Sequence, residues 1–181
     1  VEVRTIPPKR QLGNPKPRIF RLEKDQAMIN RLGFNNDGSE IVSNRISKNP
    51  PKGILGINIG PNRETVKKTE DFIACLLKFH AQADYLTINI SSPNTEGLRD
   101  FHEKSSLSKL LEKLSECKKN NNIDKPLLLK ISPDIKDEDV SYIGELIFKY
   151  KIDGVILSNT TDENRESLID KYKDEKGGLS G

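Results

Sequence analysis

Long hydrophobic runs are missing from this 181-residue chain. No apolar stretch approaches the ~20 residues that a bilayer-spanning helix requires, and nothing after Val1 has a signal-peptide pattern. The chain as it stands therefore reads as neither a membrane span nor a secreted precursor. Cysteine is scarce: Cys75 and Cys117 both fall at apolar positions of helical patterns, which suits reduced core thiols in a reducing compartment rather than a disulfide or a metal pair. The two histidines are His80, at a helix end, and His102, in a loop. A serine nucleophile needs a base within reach, so a Ser-His-Asp hydrolase has no support, and zinc chemistry has none either. Charge of one sign is also lacking. Lys and Arg number 30 against 27 Asp and Glu, and the net +3 is spread along the chain, too little for a nucleic-acid surface. The dinucleotide pattern GxGxxG and the phosphate-loop pattern are absent. Two glycosylation-type triplets, at Asn89 and Asn159, lie at buried strand ends and are discounted.

What is present is an ordinary balance of 34% hydrophobic and 31% charged residues in about one domain's length. Val1 opens in VEV, an extended start, and the last letters, GGLSG, read as a glycine-rich turn; both ends are expected to continue into a longer fold. Thr5 to Arg18 is rich in Pro, Gly and base and reads as a long surface loop. KDQAMINRLGFNNDG suggests a short helical stretch with a turn-forming tail, and Glu40 to Ile46 another short helix.

Beyond that point the pattern is regular. Strand-like runs at Ile54–Gly60, Tyr85–Ser91, Leu127–Ser132 and Gly154–Thr160 alternate with helical periodicity. The helical faces are Val66, Ile73, Leu76, Leu77 and His80, then Leu107, Leu110, Leu111, Leu114 and Cys117, then Val140, Ile143, Leu146, Ile147 and Tyr150. Asp137, Glu138 and Asp139 open the last helix, where acid suits the helix dipole. Alternating, nearly all-apolar strands mean a parallel sheet covered by helices. Each of the four strands also places a polar residue near its carboxyl end: Asn58, Asn89, Lys130, and Ser158 with Asn159. Burying such groups unpaired costs a few kcal/mol, so they need a common partner. An open sheet gathers its ligand at one switch point, whereas a barrel builds its site from the ends of successive strands. The expected fold is therefore α/β, a (β/α)8 TIM barrel with about five βα units in this chain.

If Asn58, Asn89, Lys130 and Asn159 converge, they offer neutral donors and acceptors plus one cation and no paired carboxylates, a lining for a flat, amide-rich, partly anionic molecule. Hydrolysis by an acid and base pair is disfavoured. Lys130, flanked by Leu128, Leu129 and Ile131, is either a functional ammonium or a lysine reaching for the rim. The stretch NISSPNTEGLRD, Asn89 to Asp100, has the letters of a chain reversal. On those letters alone it is a turn or a reaction centre. GGLSG offers backbone amides that suit a phosphate.

Taken in order, GNPKPRIFRL, INRLGFNNDG, GINIG, NISSPNTEGLRD, LLLKISPD, ILSNTT and GGLSG closely resemble the dihydroorotate dehydrogenase family, in its quinone-using, membrane-associated class 2. The resemblance runs along essentially the whole chain, residues 1–181, as one partial FMN-binding barrel domain. It implies an FMN enzyme of pyrimidine biosynthesis that oxidises dihydroorotate to orotate and passes the electrons to a ubiquinone-type quinone, with no nucleic-acid partner. It also implies peripheral association with a membrane, the cytoplasmic face of a bacterial membrane before a mitochondrial one, through a segment outside this chain.

The resemblance further implies roles for single residues. Ser92 matches the catalytic base, where class 1 relatives carry cysteine, and Thr95 matches a threonine that relays its proton. Asn30, Arg31, Leu32, Gly33, Phe34, Asn89, Asn94, Asn159 and Thr160 match the substrate site. Thr5, Asn58, Asn89, Lys130, Ser158 and Gly181 match FMN contacts, with Lys130 at the pyrimidine edge where a fixed positive charge stabilises the anionic reduced flavin. The chain departs from the family pattern in three ways. Arg4 stands at a usual glycine, and Ser158 stands at a usual threonine. The amino-terminal flavin loop, the quinone-tunnel helices and the carboxy-terminal phosphate site have no counterpart here. The other readings are an incomplete barrel that binds without catalysing, or an FMN barrel with a different substrate.

Overall fold

In the computed structural model, which describes residues 1–92 and 98–181, the elements run β1 (Glu2–Ile6), β2 (Ile19–Leu22), β3 (Ala27–Asn30), α1 (Ser39–Lys48), β4 (Gly56–Ile59), α2 (Lys68–Phe79), β5 (Tyr85–Asn89), α3 (Lys104–Asn120), β6 (Leu127–Lys130), α4 (Asp137–Lys149), β7 (Gly154–Ile156) and β8 (Gly178–Ser180). β1, β4, β5, β6 and β7 form one five-stranded sheet in that order, every pairing parallel. The order never reverses, so the sheet has no switch point of the doubly wound kind. It is a segment of a (β/α)8 barrel, five strands of a closure that takes about eight.

Period-two alternation divides the two faces. Ile57, Ile59, Leu86, Ile88, Ile90, Leu127, Leu129 and Ile131 point to the helices and form one core with Phe72, Cys75, Leu76 and Phe79 of α2 and the leucines of α3. The opposite face carries the polar letters. Asn58 pairs in register with Thr87, and Asn89 with Lys130. Two aspartates hold the strand starts together: Asp84 accepts from Leu55 N at 2.7 Å, and Asp153 accepts from Leu127 N at 2.8 Å. In each case the carboxylate just ahead of one strand caps the start of its neighbour.

β1 departs from strict alternation. Val3 pairs with Ile57 and Ile6 with Ile59, so β1 uses one residue more than β4 over the same span. Such a bulge shifts the facing of everything before it. Glu2 and Thr5, three apart, therefore share the polar face, which an unbroken strand would forbid.

The face expected for α3 is met in full, since Leu107, Leu110, Leu111, Leu114 and Cys117 are all buried. The α2 face is corrected: Val66 lies before the helix and is 94% exposed, Leu77 is exposed, and Phe72, Cys75 and Phe79 fill the core with Leu76. In α4, Ile143 and Leu146 are buried while Val140 is exposed. The helical stretch expected near Lys24 is a single 3-10 turn, Glu23–Asp25, between β2 and β3. These two strands pair antiparallel, and β8 pairs with β3, giving a small second sheet over Phe20, Leu22 and Ile29. GGLSG is thus not a turn: it contains β8, and Leu179 N donates to Thr161 O. The strand expected to reach Thr160 stops at Ile156.

Candidate active site

The carboxyl ends of the parallel strands surround a cavity of about 330 Å³. Asn58, Asn89, Lys130 and Asn159, the four strand-end residues singled out by sequence, all line it, together with Ser92, Asn30, Leu32, Gly33, Phe34, Thr160 and Thr5. Glu2, Val3 and Arg4 complete the wall. The lining is therefore more charged than the strand-end letters implied, with one carboxylate and a second cation beside Lys130. Arg4 is turned by a hydrogen bond to Asn35 Oδ1 at 3.0 Å. The half-buried ammonium of Lys130 meets no hydrogen-bond or ion-pair partner among the described residues.

Polar side chains link the strand ends. Asn159 Nδ2 donates to Ser91 Oγ at 2.9 Å, and Ser91 Oγ donates to Asn89 Oδ1 at 3.0 Å. Asn89 Nδ2 donates to Thr5 Oγ1 at 2.9 Å, Thr5 Oγ1 to Asn58 Oδ1 at 2.6 Å, and Asn58 Nδ2 to Glu2 Oε1 at 3.0 Å. The other Glu2 oxygen accepts from Thr87 Oγ1 at 2.8 Å. The Tyr85 hydroxyl is pushed above its ordinary range by burial first, then by the charge and hydrogen bond of Glu2. Its ring lies over Gly56, where a Cβ would come within 2.2 Å of Tyr85 Cζ. Sequence reasoning missed Glu2, Tyr85, Thr87 and Ser91. Only the bulge brings Glu2 inward, and Ser91 was overshadowed by Ser92 beside it.

The segment Asn30 to Phe34 enters the cavity from the end of β3, and the expected surface loop holds it there. Gln11 and Asn36 pair backbone to backbone, Gln11 Nε2 donates to Gly33 O at 3.0 Å, and Asn14 Nδ2 donates to Arg31 O at 3.0 Å. Residues 7–18 are largely exposed or half-buried, as expected of a surface loop, and in addition they hold the Asn30–Phe34 wall of the site in place. Phe34 sits at φ +52°, and Gly60 leaves room for it, since a Cβ there would meet Thr5 Cγ2 at 2.6 Å and Phe34 Cε2 at 3.1 Å. Arg31 faces away from the cavity: its Nη1 pairs with Glu175 Oε2 at 2.7 Å, and its guanidinium stacks 4.5 Å from the Phe20 ring centre.

Ser92 is buried at the end of β5. Asn159 is held by its backbone N–H on Ile131 O at 3.1 Å, and its Oδ1 takes the Thr160 N–H at 2.8 Å. Ser158 is exposed and Gly181 closes β8 beside Ala27; neither lines the cavity. Asn94 and Thr95 lie outside the described residues. His102 Nε2 accepts from Ser132 N at 3.3 Å, outside the cavity lining. Cys75 and Cys117 are buried free thiols, and burial, reinforced by Asp71, pushes Cys75 up to about 12.

The sequence profile of the family described as Dihydroorotate dehydrogenase matches residues 1–181. A dihydroorotate dehydrogenase (quinone) of Bartonella tribocorum is 44% identical over 184 aligned residues, covering 99% of this chain and 51% of that protein. The one from Idiomarina loihiensis is 46% identical and covers 100% of this chain and 56% of that protein. Among solved structures, DHODH from Eimeria tenella in complex with ferulenol superimposes with a TM-score of 0.94 at 38% identity, over 99% of this chain and 55% of that one. The ligand-free form gives 0.92 at 39% identity. The chain spans about half the length of the relatives it matches.

Proposed function

Since the chain belongs to the dihydroorotate dehydrogenase family, we propose that the whole protein oxidises (S)-dihydroorotate to orotate at a bound flavin and delivers the electrons to a quinone, a step of pyrimidine biosynthesis. The observation that carries this reading is the meeting of Ser92, Asn30, Asn89, Asn159, Thr160 and Lys130 around one cavity above the strand ends. The lining suits a flavin: Lys130 and the amides of Asn58 and Asn89 present N–H groups, which a ring edge of carbonyl oxygens and ring nitrogens would accept. We take the flavin to be FMN, held by Thr5, Asn58, Asn89 and Lys130. Bound there, it supplies the hydride acceptor and the route for electrons to the quinone.

The side chains of this chain would do the rest. Asn30, Asn89 and Asn159 orient the substrate ring, Asn89 and Asn159 through the second N–H of each amide. Ser92 Oγ takes the proton from C5 of dihydroorotate, and burial keeps competing water from it. Asn94 and Thr95 are assigned to substrate binding and proton relay. Lys130 brings positive charge to the side of the cavity where negative charge develops during oxidation. Ser158 and Gly181 are assigned to the flavin from the rim. Among the described residues no helix is long and apolar enough to cross a membrane, so we assign peripheral membrane contact to a segment outside these residues.

The test is reduction of a quinone analogue by dihydroorotate in the full-length protein, wild type against Ser92→Ala. Losing a general base should slow the reaction on the order of 100-fold or more. A rate near wild type would remove Ser92 from that role, and a wild-type protein inert toward dihydroorotate would remove the substrate assignment.

A further inference from the structure

The hydrogen bonds across the strand ends all run one way. Thr160 N–H gives to Asn159, Asn159 to Ser91, Ser91 to Asn89, Asn89 to Thr5, Thr5 to Asn58, and Asn58 to Glu2. A carboxamide has one donor end and one acceptor end, so fixing one end fixes the other, whereas a hydroxyl has one proton and two lone pairs and could accept from both neighbours. Three groups in this chain can act in one sense only. Backbone N–H groups of Thr160 and Ser91 donate to Asn159 Oδ1 and Asn89 Oδ1, at 2.8 and 3.2 Å, and settle those two amides. Neither reaches Asn58. Its orientation rests on Glu2, whose carboxylate accepts and cannot donate.

We propose that Glu2 is a positioning residue that sets the hydrogen-bonding character of the cavity floor. By accepting from Asn58 Nδ2 it turns Asn58 Oδ1 toward Thr5, which commits the Thr5 proton to that bond. What remains for an occupant is then weighted toward donors: the second N–H of Asn58, the second N–H of Asn89, and the ammonium of Lys130. A flipped Asn58 would replace one of those donors with a carbonyl and free the Thr5 proton. Glu2 thereby selects for an occupant whose edge is made of acceptors. Thr87 and Tyr85 hold the carboxylate in place from β5, across the intervening β4, and the β1 bulge brings it to this face.

The selected edge is identified with a flavin on the reading proposed above, and the experiment separates the two claims. Full-length protein labelled with 15N-asparagine is compared as wild type, Glu2→Gln and Glu2→Asp, with the Asn58 side-chain amide assigned from its loss in Asn58→Asp. Glutamine can donate as well as accept, so the Asn58 resonances are expected to shift or double while those of Asn89 and Asn159 stay in place. Aspartate only accepts, and is expected to keep one Asn58 pair. In parallel, apoprotein titrated with FMN should bind at least ~10-fold more weakly as Glu2→Gln, about 1.4 kcal/mol, with Glu2→Asp recovering most of that loss. Unchanged Asn58 resonances in Glu2→Gln, or Gln and Asp variants that behave alike, would overturn the role of Glu2. Wild-type protein that holds no FMN would instead overturn the flavin reading, with the amide spectra still deciding about Glu2.

Discussion

Asn159 serves three neighbours with one amide: Ser91 below it, and the backbone N–H and hydroxyl of Thr160. Asn159→Ala removes the brace between Ser91 and the end of β7 together with the edge proposed above for the substrate. Orotate affinity should fall about 10- to 100-fold, at roughly 1–3 kcal/mol for a polar contact whose partner is left unpaired. Titration followed by flavin absorbance measures it, and an affinity within twofold of wild type would take Asn159 out of the substrate site. Cys75 supports a prediction about pH. Its ordinary value is 9.0 and the folded value about 12, so the buried thiol costs the fold nothing below about pH 9. Above that the unfolded chain gains by releasing the proton, and stability declines toward pH 12. Unfolding free energies at about pH 8 and 10.5 should therefore differ less in Cys75→Ala than in wild type, while equal differences would assign the alkaline loss to other groups. Asn58, Asn89, Lys130 and Asn159 were legible because a polar letter inside an apolar strand demands a partner. Glu2 was not, because VEV alone gives no sign that the strand continues through a bulge to Ile6.

Among the elements, α3 was fully readable, its leucines recurring at the helical period without interruption. Leu110 is completely buried, and Leu110→Ala should lower the unfolding free energy by about 2–5 kcal/mol, as measured by denaturant titration. α2 was read with its face rotated, because Val66 and Leu77 fit the period as well as Phe72 and Phe79 do. Only packing against the strands distinguishes those sets. The pair β2 and β3 was hidden by brevity: strands of four residues joined through Glu23–Asp25 give too few letters for alternation to register. Asp84 and Asp153 stand just ahead of β5 and β7, and each caps a neighbouring strand. Asp84→Ala should cost about 1–3 kcal/mol by leaving Leu55 N without its charged acceptor. A change below about 0.5 kcal/mol would mean that water replaces the carboxylate.

At the scale of the molecule, barrel topology was legible because the strands shared one polar solution at one end, an argument that needs no contact to be known in advance. How residues 7–18 cradle Asn30 to Phe34 was not, since Gln11 and Asn14 act on carbonyls some twenty residues away. Among the described residues β1 and β7 each bond a single strand neighbour, and Val155 of β7 is 40% exposed. Unpaired parallel edges invite pairing with another chain. A polypeptide restricted to residues 1–181 should therefore self-associate in sedimentation analysis; a monodisperse monomer would show that both edges are covered.

The bulge in β1 also decides how the strand responds to a change in length. Deleting Arg4 would restore two-residue alternation and leave Glu2 and Thr5 two apart, a spacing at which an unbulged strand still turns both over the cavity. Most single-residue deletions trim a surface. This one would take the Arg4 side chain from the cavity wall while keeping the Glu2 and Thr5 side chains on one face, so in a deletion scan position 4 should be tolerated better than its place inside a strand suggests.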